Sequence, residues 1–151
     1  MTAPLPRLVL RPATEGDARL LFDFVNAPDA LANKQHTDTP IEWEDHCAWL
    51  RERLSDPLCF LAMIEWRGTR VGQLRIQPKP GGHHVDIFVS PAARRAGIAQ
   101  AALTAAMSRW DRRPLIAMVR KGNASSHALF RALGFRLCGS EGDFNRFQFG
   151  D

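Results

Sequence analysis

The sequence predicts a single mixed α/β domain, on three observations. Its 151 residues fall within the usual span of one domain. Apolar residues make up 45% of the chain and charged residues 24%, which supports a buried core and excludes a disordered or fibrous chain. Strand-like and helix-like segments follow one another as β-α-α-β-β-β-α-β-α-β-β, with no repeat, low-complexity tract or dividing linker. The densest run of turn formers, Pro78-Lys79-Pro80-Gly81-Gly82, reads as a loop inside that domain.

Each element has its own signal. Residues 7–11 alternate polar and apolar, as a half-buried strand does. Thr14 with Asp17 three residues later resembles an N-cap, and Leu20, Leu21, Phe24 and Val25 then share a helical face that ends before Pro28. A second helix is expected from Thr39 as N-cap, Pro40 at the first helical position and Glu42 closing a capping box. Ile41, Trp43, His46, Cys47, Trp49, Leu50 and Leu54 give it an apolar stripe that stops near Pro57. Residues 58–66 and 70–77 are rich in strand formers around Arg67-Gly68-Thr69, which predicts a hairpin. A third long strand at 84–89 is broken by Ser90-Pro91, and an Ala-rich helix at 97–110 has side chains small enough to lie close to a sheet. A buried strand at 115–119, a helix at 123–133 closed by Gly134, and strands at 135–137 and 145–149 complete the order. The apolar phases of these elements predict a core of Leu20, Phe24, Trp49, Leu61, Met63, Leu74, Ile76, Ile87, Val89, Leu103, Ile116, Met118, Leu129 and Phe135.

Composition narrows the function. A formal charge of +4 suits nucleic acid or a small polyanion equally, and no helix-turn-helix, zinc-finger or RNP-type aromatic pattern supports the former. Cys47, Cys59 and Cys138 are odd in number and lack metal-ligand spacing, so they read as reduced, mostly buried thiols with no disulfide framework and no metal site. The longest apolar run, 58–64, is too short to span a bilayer, and residues 1–11 carry no signal-peptide core, so a soluble cytoplasmic protein is expected. The chain contains no Tyr.

The chemistry concentrates in residues 85–103. A strand delivers the chain to Arg94-Arg95-Ala96-Gly97-Ile98-Ala99 at the start of a helix, where unpaired amides and the macrodipole favour an anion. Gly97 and the small Ala99 would let a phosphate approach the backbone, and Arg94 and Arg95 supply charge. The same residues also fit a surface loop capping an ordinary helix. Neither a Walker loop nor a full Gly-x-Gly-x-x-Gly is present.

Arg94-x-x-Gly97-x-Ala99 after a strand resembles the acyl-CoA signature, Gln/Arg-x-x-Gly-x-Gly/Ala, of the GNAT superfamily of N-acetyltransferases. Asn123-Ala-Ser-Ser126-His-Ala-Leu-Phe130-Arg-Ala-Leu-Gly134-Phe135 is similar to the family's Asn-x-x-Ser-x-x-x-Tyr/Phe-x-x-x-Gly-Phe segment, and together the two cover roughly the last half of the chain. The resemblance implies a single GNAT domain over 1–151, with a mixed, mostly antiparallel central sheet whose middle strands splay apart. Residues 1–57 would be mainly the acceptor-side wall and 85–135 the acyl-CoA core. It also implies acetyl-CoA as cosubstrate, held by Phe88, Val89, Arg94, Arg95, Ala96, Gly97, Ile98, Ala99, Asn123, Ser126 and Phe130. The pantetheine would lie between the strands ending at Val89 and Val119 like an added strand.

The reaction implied is attack of a neutral primary amine on the thioester, with the Val89 N–H as oxyanion donor. The amine must lose a proton, for which Asp86, His84 and Glu65 are candidates, with His83 beside them. Asp86 and His84 share a face by strand alternation; each of these groups also fits a structural or solvated role, the commoner one for such side chains. Many family members use a Tyr to protonate the leaving thiolate, but the matching residue here is Phe130, so that acid is absent or moved. A thiolate whose conjugate acid has a pKa of about 8.5 is a tolerable leaving group, so loss of the general acid need not abolish activity.

On the acceptor side, Phe24-Val25-Asn26, Lys34 and Ile41-x-Trp43-x-x-His46-x-x-Trp49 resemble the pattern of GNATs that acetylate aminosugar nucleotides, with Phe24 where Trp is common and Lys34 where Arg is. Asn26, Trp43 and His46 would then bind substrate, although a Trp43, His46, Trp49 stripe also fits a helix core. The same layout resembles ribosomal-protein N-terminal acetyltransferases. A catalytically silent acyl-CoA-binding module is the third reading, and a homodimer is allowed for.

Overall fold

The computed structural model describes residues 5–34 and 39–151. Its strands are β1 (Leu8–Pro12), β2 (Phe60–Trp66), β3 (Thr69–Lys79), β4 (Gly82–Val89), β5 (Leu115–Arg120), β6 (Arg136–Glu141) and β7 (Phe144–Phe149). They form one sheet in the order β1-β2-β3-β4-β5-β7-β6. Neighbours pair antiparallel except β4 and β5, which are parallel. The helices are α1 (Ala18–Val25), α2 (Pro28–Ala32), α3 (Trp43–Ser55), α4 (Ile98–Arg109) and α5 (Ala124–Ala132), with single turns of 3-10 helix at Glu15–Asp17 and Pro91–Ala93.

Strand alternation sends successive side chains to opposite faces, and each face carries its own core. Ala62, Ile64, Leu74, Ile76, Val89, Leu115, Ala117, Val119 and Phe147 pack with Ile98, Ala102, Leu103 and Ala106 of α4 and with Phe130 of α5. On the other face Leu61 and Met63 pack with Leu21, Phe24 and Leu50 of α1 and α3, and Phe88 joins them. Each fully buried large side chain of this kind contributes roughly 1.5–3 kcal/mol relative to exposure. Ala101, Ala102 and Ala106 are buried along α4, and their small side chains let that helix sit close to the sheet. β3 and β4 also approach closely: a Cβ on Gly72 would lie 2.2 Å from the Phe88 carbonyl oxygen, so only glycine fits there.

Several expectations need correction. α3 begins at Trp43 with Glu42 as N-cap and no side-chain cap bond, not at Thr39 and Pro40 with a capping box. The Asn26 side chain holds the Ile41 backbone, donating to its carbonyl at 3.0 Å and accepting from its N–H at 2.7 Å, and this fixes the approach to α3. Pro28 does not merely end α1; it starts α2, where its fixed φ suits a first turn. β6 runs to Glu141 rather than 137, because its hairpin with β7 continues the pairing through polar residues to Glu141 opposite Phe144.

Of the expected core, Leu20, Trp49, Ile87, Met118 and Leu129 are only half-buried. In β5 it is Leu115, Ala117 and Val119 that join the α4 and α5 core, the phase opposite to Ile116 and Met118. Every residue from 115 to 119 is apolar, so alternation could not reveal which phase faces the helices. Cys138 lies exposed on β6, while Cys47 and Cys59 are half-buried.

Candidate active site

β4 and β5 pair at only two positions, His83 with Leu115 and His84 with Ile116. Beyond them each strand keeps its outer partner, β4 pairing with β3 as far as Val89 and β5 pairing with β7 as far as Arg120. The two halves of the sheet therefore continue while the strands between them part. Since the Phe88 carbonyl points at β3, alternation turns the backbone groups of Val85, Ile87 and Val89 toward the gap. This corrects the expectation for Phe88: its backbone belongs to the β3 pairing, and its ring packs 5.1 Å from Phe24.

At the end of β4 the chain turns through Pro91–Ala93 into α4. Arg95 and Gly97 both adopt left-handed backbone, with φ of 65° and 77°, and Gly97 is the N-cap of α4. A left-handed residue followed by helical ones gathers successive N–H groups into an anion-binding concavity. Nothing lies within 4 Å of where a Gly97 Cβ would be, so the approach to these amides is open. Ile98 is buried and anchors the helix start, Ala96 and Ala99 are half-buried, and Arg95 is exposed. The residues therefore fit a phosphate group held by backbone amides.

Arg94 folds back instead. Its Nε donates to the Val89 carbonyl at 2.8 Å, its guanidinium lies 5.4 Å from the Phe88 ring centre, and it forms an ion pair with Asp29 of α2. Across the gap, Asn33 accepts from Asn123 Nδ2 at 3.2 Å and Arg120 donates to the Lys34 carbonyl at 3.3 Å. The segment from Asp29 to Lys34 thus ties the two banks together through Arg94 on one side and Asn123 on the other. Asn123 also caps its own helix, accepting from the Ser126 N–H at 3.1 Å and from the Ser125 hydroxyl at 3.0 Å. Ser126 is half-buried in the first turn of α5. Phe130 is a core ring, buried edge-on to Phe135 with centres 5.0 Å apart.

His84, Asp86 and Phe88 present their side chains to the α1 and α3 face, where the register sets them beside Gln77, Arg75 and Gln73 of β3. Gln73 is buried and donates to Asp86 Oδ2 at 2.8 Å, and Arg75 Nη2 lies 3.8 Å from the same oxygen. Arg75 also rests 4.9 Å from the Trp49 ring centre. His84 sits toward the closed end of the gap. Burial, together with Lys79 and Arg146, pushes its pKa below the ordinary imidazole value, and its Nε2 is sealed from solvent with no partner among the described residues. His83 falls on the opposite face.

Glu65 is tied to a cation: its Oε2 accepts from Arg11 Nε at 2.7 Å, within a cluster in which Arg11 and Arg70 also hold the buried Asp17. Those guanidinium bonds and the Thr14 N–H outweigh burial and hold the Asp17 carboxyl well below its usual range. Three acceptor-side expectations change as well. Asn26 spends its amide on Ile41. Trp43 packs edge-on to Phe22 with centres 5.2 Å apart, and Arg19 covers it. His46 is buried between α1 and α3, and its Nε2–H donates to the Ala18 carbonyl at 3.1 Å. Of that stripe it is Trp49 that reaches the sheet, through Arg75. Gln73 and Arg75 were missed in the sequence, although the phase Gln73, Arg75, Gln77, Lys79 against Leu74 and Ile76 marks a polar face on β3. Among the described residues, no group of three or more His, Cys, Asp or Glu side chains could hold a metal ion, and no helix is long and apolar enough to cross a membrane.

The sheet with its parted strands, and the open turn at the start of α4, are those of the acetyltransferase (GNAT) fold. Residues 7–136 match the acetyltransferase (GNAT) domain family, and the chain belongs to that family. It is similar in fold to an acetyltransferase from Thermus thermophilus, at 23% identity over 97% of this chain and 99% of that one, with a TM-score of 0.78. It is also similar to a ribosomal-protein-alanine N-acetyltransferase from Brucella melitensis, at 27% identity over 93% and 96% of the two chains, TM-score 0.74. A third structure, spermidine N-acetyltransferase from Vibrio cholerae in complex with CoA and spermine, is 14% identical over 95% of this chain and 94% of that one, TM-score 0.79. No curated protein matches the chain.

Proposed function

We propose that the protein transfers the acetyl group of acetyl-CoA to a primary amine of a small molecule. The observation that carries this reading is the parting of β4 and β5 just after their two bridges, beside the left-handed turn at Arg95 and Gly97. The pyrophosphate of the cosubstrate would lie on the amides of residues 95–99, with Arg95 adding charge. The pantetheine would run into the gap and bond the backbone groups of Val89 and its neighbours as an added strand would. With its carbonyl already bonded to Arg94, Val89 has its N–H left to serve the thioester oxygen.

The chemistry is an acyl transfer. The amine lone pair forms a C–N bond to the thioester carbon, the oxyanion accepts from Val89 N–H, and collapse breaks the C–S bond to release CoA thiolate. Asp86 holds the incoming amine and takes its proton, directly or through water, with the neutral His84 ring as a second acceptor one pleat deeper. Phe130 donates no proton, so the thiolate leaves unassisted or takes its proton from solvent.

The test is release of free thiol from acetyl-CoA across a panel of aminosugar nucleotides, polyamines, aminoglycosides and peptides. An aminosugar nucleotide is the favoured acceptor, on the sequence resemblance carried by residues 24–26, Lys34 and residues 41–49, and a protein N-terminus is the alternative raised by the Brucella structure. A silent acyl-CoA-binding module is favoured by the absence of any Tyr. It predicts calorimetric CoA binding with no thiol release for any acceptor.

A further inference from the structure

The face of β3 and β4 beneath α1 and α3 carries an unbalanced set of charges. Asp86 supplies the carboxylate of the β3–β4 ladder on this side, and one of its oxygens is already bonded to Gln73. Around it stand Arg75, directly opposite in register, Lys79 four residues along the same strand, and Lys34 from the segment after α2. Arg75 is mostly covered, and its Nε is sealed from solvent without an acceptor among the described residues. Lys34 is half-buried, and its ammonium has no hydrogen-bond or ion-pair partner among the described residues. Burial pushes the Lys34 pKa below its ordinary value and Arg75 adds to this, while Asp86 opposes. Arg53 of α3 lies 3.7 Å from its neighbour Glu52, and Asp56 accepts from the Leu58 N–H, so these charges have partners on their own segment.

Cations partly withdrawn from water that must share one carboxylate are costly, and a bound anion would satisfy them. We infer that the acceptor amine also carries an anionic group, a phosphate or a carboxylate, which Lys34 and Arg75 hold beside the Trp49 ring while Asp86 receives the amine. This rests on the reading of that face as the acceptor side. It makes Lys34 and Arg75 specificity-determining residues, and it sets this chain apart from an enzyme for polyamines, whose several positive charges would meet the same surplus. Phosphate and carboxylate share the recognising chemistry; a guanidinium fork fits either.

The experiment compares amines in matched pairs with the intact protein: glucosamine 6-phosphate with glucosamine, phosphoethanolamine with ethanolamine, β-alanine with propylamine, and spermidine by itself. Thiol release should favour the acid-bearing member by roughly tenfold or more in kcat/KM, with spermidine among the poorest. Lys34→Gln and Arg75→Gln should each raise KM for the preferred acid-bearing amine about tenfold and leave KM for acetyl-CoA within about twofold, and Lys34→Arg should restore the preference. Thermal melts identify any variant that fails to fold, and Lys34, whose ammonium has no partner among the described residues, provides the variant least coupled to folding.

Equal or better turnover of the acid-free amines or of spermidine overturns the inference and leaves acetyl transfer standing. So does a preference that survives both substitutions. If no amine releases thiol, side-chain amide and indole NMR shifts at Gln73 and Trp49 decide. Shifts with phosphoethanolamine but not ethanolamine uphold the anion site while acetyl transfer fails; their absence overturns the inference as well.

Discussion

A carboxylate that is to hold an amine needs one oxygen not consumed by its own protein. Asp86 meets this condition: its Oδ2 takes the bond from Gln73 and faces Arg75, while Oδ1 has no partner among the described residues. Glu65 also leaves an oxygen, but its carboxylate is already the counter-charge of Arg11, whose Nε bonds Oε2 at 2.7 Å. Asp86→Asn keeps the Gln73 contact but loses the base. Its kcat for thiol release is expected to fall about a hundredfold, with KM for acetyl-CoA little changed. Unchanged turnover would move the proton to His84 or to water. His46 gives a stability prediction of its own. Burial pushes its pKa below the ordinary imidazole value, outweighing the Ala18 carbonyl that favours the charged ring. An unfolded chain takes up that proton at about pH 6.5 while the folded one resists, so folding stability is complete above that value and is lost as pH falls below it. The melting temperature of the wild type should therefore drop more between about pH 7.5 and about pH 5 than that of His46→Gln, whose amide can still donate to Ala18. At this scale the sequence revealed which residues were polar and where, but not their partners. Asn26 and Glu65 looked available because Ile41 and Arg11, far along the chain, could not be placed against them.

Elements were legible where a local signal decided them. The turn between β2 and β3, the Ala-rich α4 and the start of α5 at Asn123 lie where periodicity and turn residues put them, whereas the run read as a loop at 78–82 is mostly strand, β3 continuing to Lys79 and β4 starting at Gly82. The start of α3 was not legible, because a capping box competes with a side chain 15 residues away that pins Ile41. The turn before α4 supports the sharpest element-level prediction. Gly97→Asp forces a β-carbon into left-handed backbone and sets a carboxylate over the amides that would meet phosphate. CoA affinity by calorimetry should weaken at least about tenfold, or 1.4 kcal/mol. Gly68→Asp is the control, since Gly68 shares the left-handed conformation and open surroundings but lies in the β2–β3 turn. It should carry the same backbone cost and leave CoA affinity unchanged; equal weakening in both would remove the phosphate from that turn.

For the molecule as a whole, the sequence predicted one mixed sheet between helices, and seven strands in that arrangement are present. The separation of β4 from β5 came only from the resemblance. Nothing in residues 85–89 or 115–120 marks a strand that loses its neighbour halfway, because pairing depends on how two half-sheets sit on α4 and α5 rather than on either strand's own composition. The segment from Asp29 to Lys34 was equally hidden, since its tethers to Arg94, Asn123 and Arg120 join residues far apart in the chain, 86 positions for Lys34 and Arg120 and 90 for Asn33 and Asn123.

With CoA and the acceptor bound as proposed, that tether would couple the two ligands. One end holds Arg94 and the other Asn123, the two side chains that head the cosubstrate motifs, while Lys34 at its end would meet the acceptor on the reading proposed above. A cosubstrate that draws Arg94 away from Asp29 releases the wall that the acceptor must meet, and an acceptor that resettles Lys34 loosens the hold on Asn123. Such heterotropic linkage is reciprocal: the factor by which acceptor changes CoA affinity must equal the factor by which CoA changes acceptor affinity. Titrating each ligand in the absence and presence of the other measures both factors, and Asp29→Asn should bring them toward unity while raising the affinity for CoA alone about two- to fivefold. With the tie cut, each ligand would bind as though the other were not there.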